Sequence, residues 1–141
     1  MSMSNEAIDS FLKTPNRHAV LGTIRRSGAP QLSPVWYLYE NGKMYVSVPE
    51  KSAKHRNLRR DPRVAVCIDG GRQDVRAVML YGRVAIAEND DAFNREMRWR
   101  IVRAYYSTEE DAKSYYETVE DVPSVLLVIT PDEILAQDFN D

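Results

Sequence analysis

The sequence predicts a mainly β protein with accessory helices, of the α+β class, in which six antiparallel strands close into a small barrel with helices over its openings. Three observations lead there. Strand-forming runs follow one another with only turn residues between them, at His18 to Arg26, Gln31 to Tyr39 and Lys43 to Val48. The pair Asn41-Gly42 separates two of these runs and is the strongest short-range hairpin signal, because the favoured two-residue turn needs positive φ at both positions. Two further runs, Val64-Ala65-Val66-Cys67-Ile68 and Val125-Leu126-Leu127-Val128-Ile129, are apolar on both faces and must be covered on both sides. One side would face the barrel interior and the other a helix or a second subunit, so a homodimer is expected.

Each element has its own signal. Asn5 to Lys13 reads as a short amphipathic helix with Ala7, Ile8, Phe11 and Leu12 on one side, closed by Pro15 and Asn16. Ser27-Gly28 turns the first strand into the second. After Val48, Glu50 and Ser52 open a short helix anchored by Leu58, and Pro62 stops it because proline lacks the next N–H. Arg63 to Asp69 is a fourth strand, Gly70-Gly71 a turn, and Val75 to Ala87 a long fifth strand. Gly82 inside it marks a bulge, a bend or a close approach. Asn89 or Asp90 caps the next helix, in which Phe93, Met97, Ile101 and Ala104 or Tyr105 recur at helical spacing, with Arg95, Arg98 and Arg103 on the opposite faces. Thr108 to Val119 is a further helical segment and Ser124 to Thr130 the sixth strand. The tail from Pro131 to Asp141 holds a short apolar stretch, Ile134 to Ala136.

Composition narrows the function. A chain of 141 residues suits a single domain over 1–141 with one core. Nineteen basic against twenty-one acidic residues give a formal charge of −2, which argues against a general nucleic-acid binder. Cys67, the only cysteine, allows no internal disulfide, reads as a core residue of its strand and fits a reducing compartment. No run is apolar enough for a membrane span and the start lacks the pattern of a signal peptide, so a cytoplasmic, soluble protein with no membrane partner is expected. His18 and His55 have no second ligand at metal spacing, which disfavours a zinc site. Nucleophile-elbow, Rossmann and Walker patterns are missing as well. A chain without that equipment points to a bound cofactor as carrier of the chemistry.

Charge is concentrated locally. Lys51 to Arg63 holds six of the nineteen Lys and Arg residues. Lys51, Lys54 and Leu58 share one helical face while Arg56, Arg59, Arg60 and Arg63 spread over the others. Ser52 and the lysines stand at the first turn, where free N–H groups and the positive end of the helix favour a phosphate. The segment is either a phosphate cradle at a strand-to-helix junction or a solvated basic face. The second strand is also unusual, with Pro30 and Pro34 in a run of strand formers. Proline leaves ladder positions without a donor, so N–H groups around Gln31 to Val35 could face a planar ligand beside Trp36 and Tyr37; the alternative is an edge strand with core aromatics.

Taken together, GxPQxSPVWY, the Asn-Gly hairpin, SxKxxNLRRDPRV and LYGRVAI resemble the split β-barrel, FMN-binding-like oxidoreductases of the pyridoxamine 5'-phosphate oxidase-like group, over roughly residues 10 to 90. The subgroup most similar is that of small reductases using the deazaflavin coenzyme F420. The resemblance implies a homodimer with two sites at the subunit interface. It implies that Lys54, with Ser52 and Asn57, holds the cofactor phosphate, and that Lys51, Arg56 and Arg60 lie near that phosphate or the acidic tail. Gln31, Leu32, Ser33 and Pro34 would line the tricyclic ring, with Trp36 close by. Two departures disfavour vitamin B6 oxidation: Ala53 stands where those oxidases carry Arg, and the chain ends AQDFND without their Trp- and Arg-containing signature. The expected activity is hydride transfer from reduced coenzyme F420 to a conjugated small molecule. FMN binding on the same fold is the alternative, as is a non-catalytic flavin, F420 or heme-binding module. Substrate walls would come from the Trp99 helix, the pairs Tyr105-Tyr106 and Tyr115-Tyr116, and the tail; the tyrosines read as packing residues rather than acids.

Overall fold

Among the described residues seven strands, not six, form one antiparallel sheet in the order β2-β1-β5-β6-β7-β4-β3. The computed structural model describes residues 3–88 and 92–139. In chain order the elements are α1 (Asn5–Lys13), β1 (Ala19–Ile24), β2 (Pro30–Val35), β3 (Leu38–Glu40), β4 (Lys43–Pro49), α2 (Ala53–Arg60), β5 (Arg63–Asp69), β6 (Arg76–Ala87), α3 (Ala92–Ala104), α4 (Glu109–Val119) and β7 (Ser124–Asp138).

Two differences from the expected strand set have clear causes. The run Gln31 to Tyr39 is two strands, because Trp36 and Tyr37 leave the ladder and carry the chain from β2 at one edge of the sheet to β3 at the other. The expected tail is the second half of β7, where Ile134 pairs with Leu80 and Ala136 with Val78. The Asn-Gly hairpin is as expected: Glu40 pairs with Lys43, and Asn41 and Gly42 take φ of 54° and 74°.

The short crossing from β2 to β3 forces the sheet to curl. Three Cα steps separate Val35 from Leu38, a reach of roughly 11 Å. A flat sheet of this many strands would hold its edges roughly 29 Å apart. The edges therefore meet at the Trp36–Tyr37 end and diverge elsewhere, which makes a half-barrel with a split side. Three contacts pin the crossing. The Tyr37 hydroxyl donates to the Leu12 carbonyl (2.9 Å), the Tyr37 N–H donates to the Tyr105 hydroxyl (3.2 Å), and that hydroxyl donates to the Arg17 carbonyl (2.5 Å). Trp36 stacks on Tyr105 with ring centroids 4.7 Å apart.

Inward residues fill the half-barrel. Leu21, Met44, Val46, Val66, Ile68, Val78, Leu80, Leu127 and Ile129 are buried, and α1 adds Phe11 and Leu12. Ser4 opens α1 by accepting the Ala7 N–H (3.1 Å). Cys67 is not a core residue: Val64, Val66 and Ile68 point inward, so the alternation of the strand sends Cys67 to the exposed outer face. Burial and the neighbouring Asp69 raise its pKa, so its thiol is not activated.

Gly82 marks a bulge, one of the roles its place in a strand suggests. Tyr81 pairs with Glu133 and Gly82 with Pro131, leaving Asp132 as the extra residue of β7. A Cβ at Gly82 would run into the Thr130 carbonyl oxygen, which is backbone and cannot swing aside.

Gly82→Ala should therefore lower stability by roughly 1–3 kcal/mol in urea denaturation. A second expectation concerns alkaline pH. Burial pushes the Tyr105 phenol up to about 12 and raises the Tyr37 phenol as well. The unfolded chain ionises these groups near the ordinary value of about 10 while the folded chain keeps them neutral. Their contribution is full below about 10 and is lost as pH rises toward the folded values. The denaturation midpoint should fall over that range, and the fall should be smaller when both tyrosines are replaced by phenylalanine.

Candidate functional site

The split side of the half-barrel is spanned by α2, which packs on β1 and β4. Ser52 caps it, its hydroxyl accepting the His55 N–H (3.3 Å), and the Asp61 N–H closes it on the Asn57 carbonyl (2.9 Å) before Pro62. Leu58 anchors the helix in the core. His55 is buried with Nδ1 on the Glu50 carbonyl (2.7 Å), which ties the turn that precedes the helix.

From this position α2 reaches across to β2. Lys54 Nζ donates to Ser33 Oγ (3.0 Å). Asn57 Nδ2 donates to Gln31 Oε1 (3.0 Å) and to Thr23 Oγ1 on β1 (3.1 Å), and Asn57 Oδ1 accepts from Arg60 (2.9 Å). Arg60 also donates to the Ile24 carbonyl (3.3 Å). The Asn57 amide is thereby buried and committed, so it positions Gln31 and Arg60 rather than reaching outward. Thr23, the buried partner on β1, carries no signal in the sequence beyond its place in a strand.

The basic segment divides into two groups. Arg59 pairs with Glu88. Arg63 forks onto Asp61 (2.8 and 3.1 Å), and those side-chain and backbone bonds hold the Asp61 carboxyl down at about 2. These two arginines are neutralised surface groups. Lys54 and Arg60 have only neutral partners among the described residues, and both face the β1–β2 side of the split. Arg56 turns back onto the Lys51 carbonyl (2.8 Å), and Lys51 is exposed at the rim.

The strand β2 does not present its four expected residues together. Gln31 and Ser33 face α2, whereas Leu32 and Pro34 alternate to the other side, with Leu32 73% exposed. Its proline-bearing edge is unpaired among the described residues, where β2 bonds to β1 alone. Trp36 lies at the strand's end against Tyr105, Tyr106 and Tyr115. The tyrosines do pack as expected, Tyr116 and Trp99 forming a separate pair.

Next to Lys54 and Trp36 lies a cavity of about 330 Å³ between β2, β4, α3 and the end of α4. Arg98 lines it, contrary to its expected place on the far face of α3. The buried stripe of α3 is Asn94, Met97, Arg98, Ile101 and Val102, and Phe93 is exposed, because the stripe follows i, i+3, i+4 from Asn94 rather than from Phe93. The expected caps Asn89 and Asp90 lie outside the described residues. Arg98 donates to the carbonyls of Glu120 (2.9 Å) and Val122 (3.2 Å), which makes the burial of its guanidinium tolerable. No pattern in the sequence distinguishes it from Arg95 and Arg103.

The donor set suits a phosphate. Ser52 accepts a backbone N–H yet keeps its own O–H proton to give, Lys54 and Arg60 have no counter-charge among the described residues, and no acidic residue occupies the first turn of α2. Among the described residues no cluster suits a metal ion, and no helix is long and apolar enough to cross a membrane.

Comparison with known proteins agrees with this architecture. The structure is similar to that of the conserved hypothetical protein Rv2991 from Mycobacterium tuberculosis, with 26% identity, 98% of this chain and 86% of that chain covered, and a TM-score of 0.76. It shares its fold with an F420 reductase (18% identity, 89% and 94% covered, TM-score 0.67). It also shares it with a FAD-binding protein from Mesorhizobium loti (19% identity, 96% and 93% covered, TM-score 0.68). The family profile of pyridoxamine 5'-phosphate oxidase matches residues 4–138. A match of that extent, on a curled antiparallel sheet, means that this chain belongs to the pyridoxamine 5'-phosphate oxidase family.

Proposed function

We propose that the protein is a homodimeric oxidoreductase that binds the deazaflavin coenzyme F420 by its phosphate at Lys54, Ser52 and Arg60 and reduces a conjugated small molecule. The observation that carries this reading is the division of the basic segment, in which Arg59 and Arg63 are ion-paired while Lys54 and Arg60 face the split with neutral partners only. When bound, the reduced deazaflavin supplies a hydride to an electron-poor partner. The protein's part is placement. Lys54 holds the anion against Ser33, Asn57 fixes Arg60 and Gln31, and the N–H groups of the first turn of α2 add positive potential. The F420 reductase among the fold relatives supports this reading, and Ala53, which lacks the arginine of the vitamin B6 oxidases, favours it over pyridoxamine phosphate oxidation. FMN on the same grip is the second reading, favoured by the FAD-binding relative.

Side-by-side titration of ligand-free protein with coenzyme F420 and FMN decides between them, tighter binding of coenzyme F420 being expected. Lys54→Ala should weaken binding of the preferred cofactor by about tenfold or more, since a hydrogen bond to a charged group contributes about 1.5–3 kcal/mol. Unchanged affinity would remove Lys54 from the site.

The dimer rests on the outer face of the sheet. Val20, Cys67, Met79 and Leu135 are register partners across β1, β5, β6 and β7 and form an apolar row. Leu32 and Tyr81 extend it, both exposed in the single chain. A second copy of this face would cover the row beside the open edge of β2. Sedimentation at micromolar concentration should give twice the chain mass, and Leu135→Glu should shift the protein toward monomer; a wild-type monomer would count against the dimer.

A further inference from the structure

We propose that the cavity beside Lys54 is a binding site for a planar organic carboxylate, with the acid group toward Arg98 and the flat body against Trp36. The cavity's size, about 330 Å³, falls in the range of roughly 300–1,000 Å³ typical of small-molecule sites. Its lining carries cations and neutral donors but no acid: Lys54, Arg98, His18, Ser47 and Ser124 stand among apolar walls from β2, β4 and α3. Arg98 is the informative member. It is only 6% exposed, both terminal nitrogens end on main-chain carbonyls, and Nε has no partner. Among the described residues no carboxylate pairs with it. A guanidinium keeps its full charge when buried, and carbonyl dipoles do not neutralise it. An anion inside the cavity would supply the counter-charge that the described residues do not.

The rest of the lining defines the body of the ligand. Trp36 is fixed by its stack on Tyr105, and Tyr115 lies 5.4 Å from it, so two aromatic side chains contribute to one wall. Val102 and Ile101 on α3 provide an apolar floor. A conjugated acid fits this combination of aromatic wall and buried cation. Lys54 lines the cavity and also belongs to the proposed cofactor grip, so the acid would lie next to the cofactor as its substrate. That last placement rests on the proposed function, whereas the binding itself does not.

The probes are 2-naphthoate and its uncharged analogue 2-naphthamide, titrated calorimetrically into the cofactor-free protein. The acid should bind about tenfold or more tightly than the amide, the weight of one hydrogen bond to a charged group. It should move the indole resonance of Trp36 and not that of Trp99, which lies against Tyr116 outside the cavity. Arg98→Met should cost the acid about tenfold or more and leave the amide within about twofold. Arg98 also ties the end of α4, so if that variant does not fold, the wild-type ratio of acid to amide remains the deciding measurement. Equal affinity for the two probes, no saturable heat, or a shift at Trp99 alone would overturn the proposal. Loss of cofactor binding in the separate titration would sink the oxidoreductase reading and leave this site standing.

Discussion

Everything in this structure depends on the two-residue crossing at Trp36 and Tyr37. A sheet whose edge strands are joined by so short a link has no flat solution, so curvature is imposed by chain length rather than by the preferences of individual strands. The crossing is in turn fixed from three directions, by the Leu12 and Arg17 carbonyls and by the Tyr105 hydroxyl. Each of these groups is partly or fully buried, where an unpaired polar atom is costly. The stacked indole of Trp36 is held by the same arrangement, which gives the cavity one rigid wall without any residue dedicated to that purpose alone.

The split that the crossing leaves open is where charge matters. Eight residues of α2 carry four basic side chains, yet structure assigns them different work. Arg59 is neutralised by Glu88 and Arg56 is spent on the Lys51 carbonyl. Lys54 and Arg60 remain uncompensated among the described residues, and both are oriented by neutral groups of β1 and β2. Surface ion pairs of the first kind contribute little to stability. The second kind leaves positive potential at one place along the helix, which is a condition for recognising an anion rather than for solubility.

Much of the architecture was legible from local chemistry. Asn41-Gly42 dictates its hairpin because few other residues tolerate the turn, and Ser52 with Pro62 bounds α2 by capping and by a missing donor. The place of Ser52 and Lys54 at the first turn of α2 was legible for the same reason. What the sequence hides is long-range. Nothing local says that Trp36 and Tyr37 leave the ladder, since both are good strand formers, or that the residues after Thr130 rejoin the sheet across a bulge. Arg98 and Cys67 were misplaced because polarity and hydrophobicity forecast burial only on average. A long arginine can bury its stem when carbonyls meet its head, and a cysteine in an apolar run can still fall on the outward side of the pleat.

The position of β7 has a consequence for how the molecule is made. It is the last strand in chain order, yet it lies between β6 and β4 in the sheet. Without it the sheet is two fragments, one of β2, β1, β5 and β6 and the other of β4 and β3, connected by the chain but sharing no ladder. During synthesis neither fragment can complete its pairing until β7 has been made, so the unsatisfied edges of β6 and β4 wait together. Such non-local closure predicts slow, all-or-none folding, with a vulnerable interval in which another chain could pair where β7 belongs.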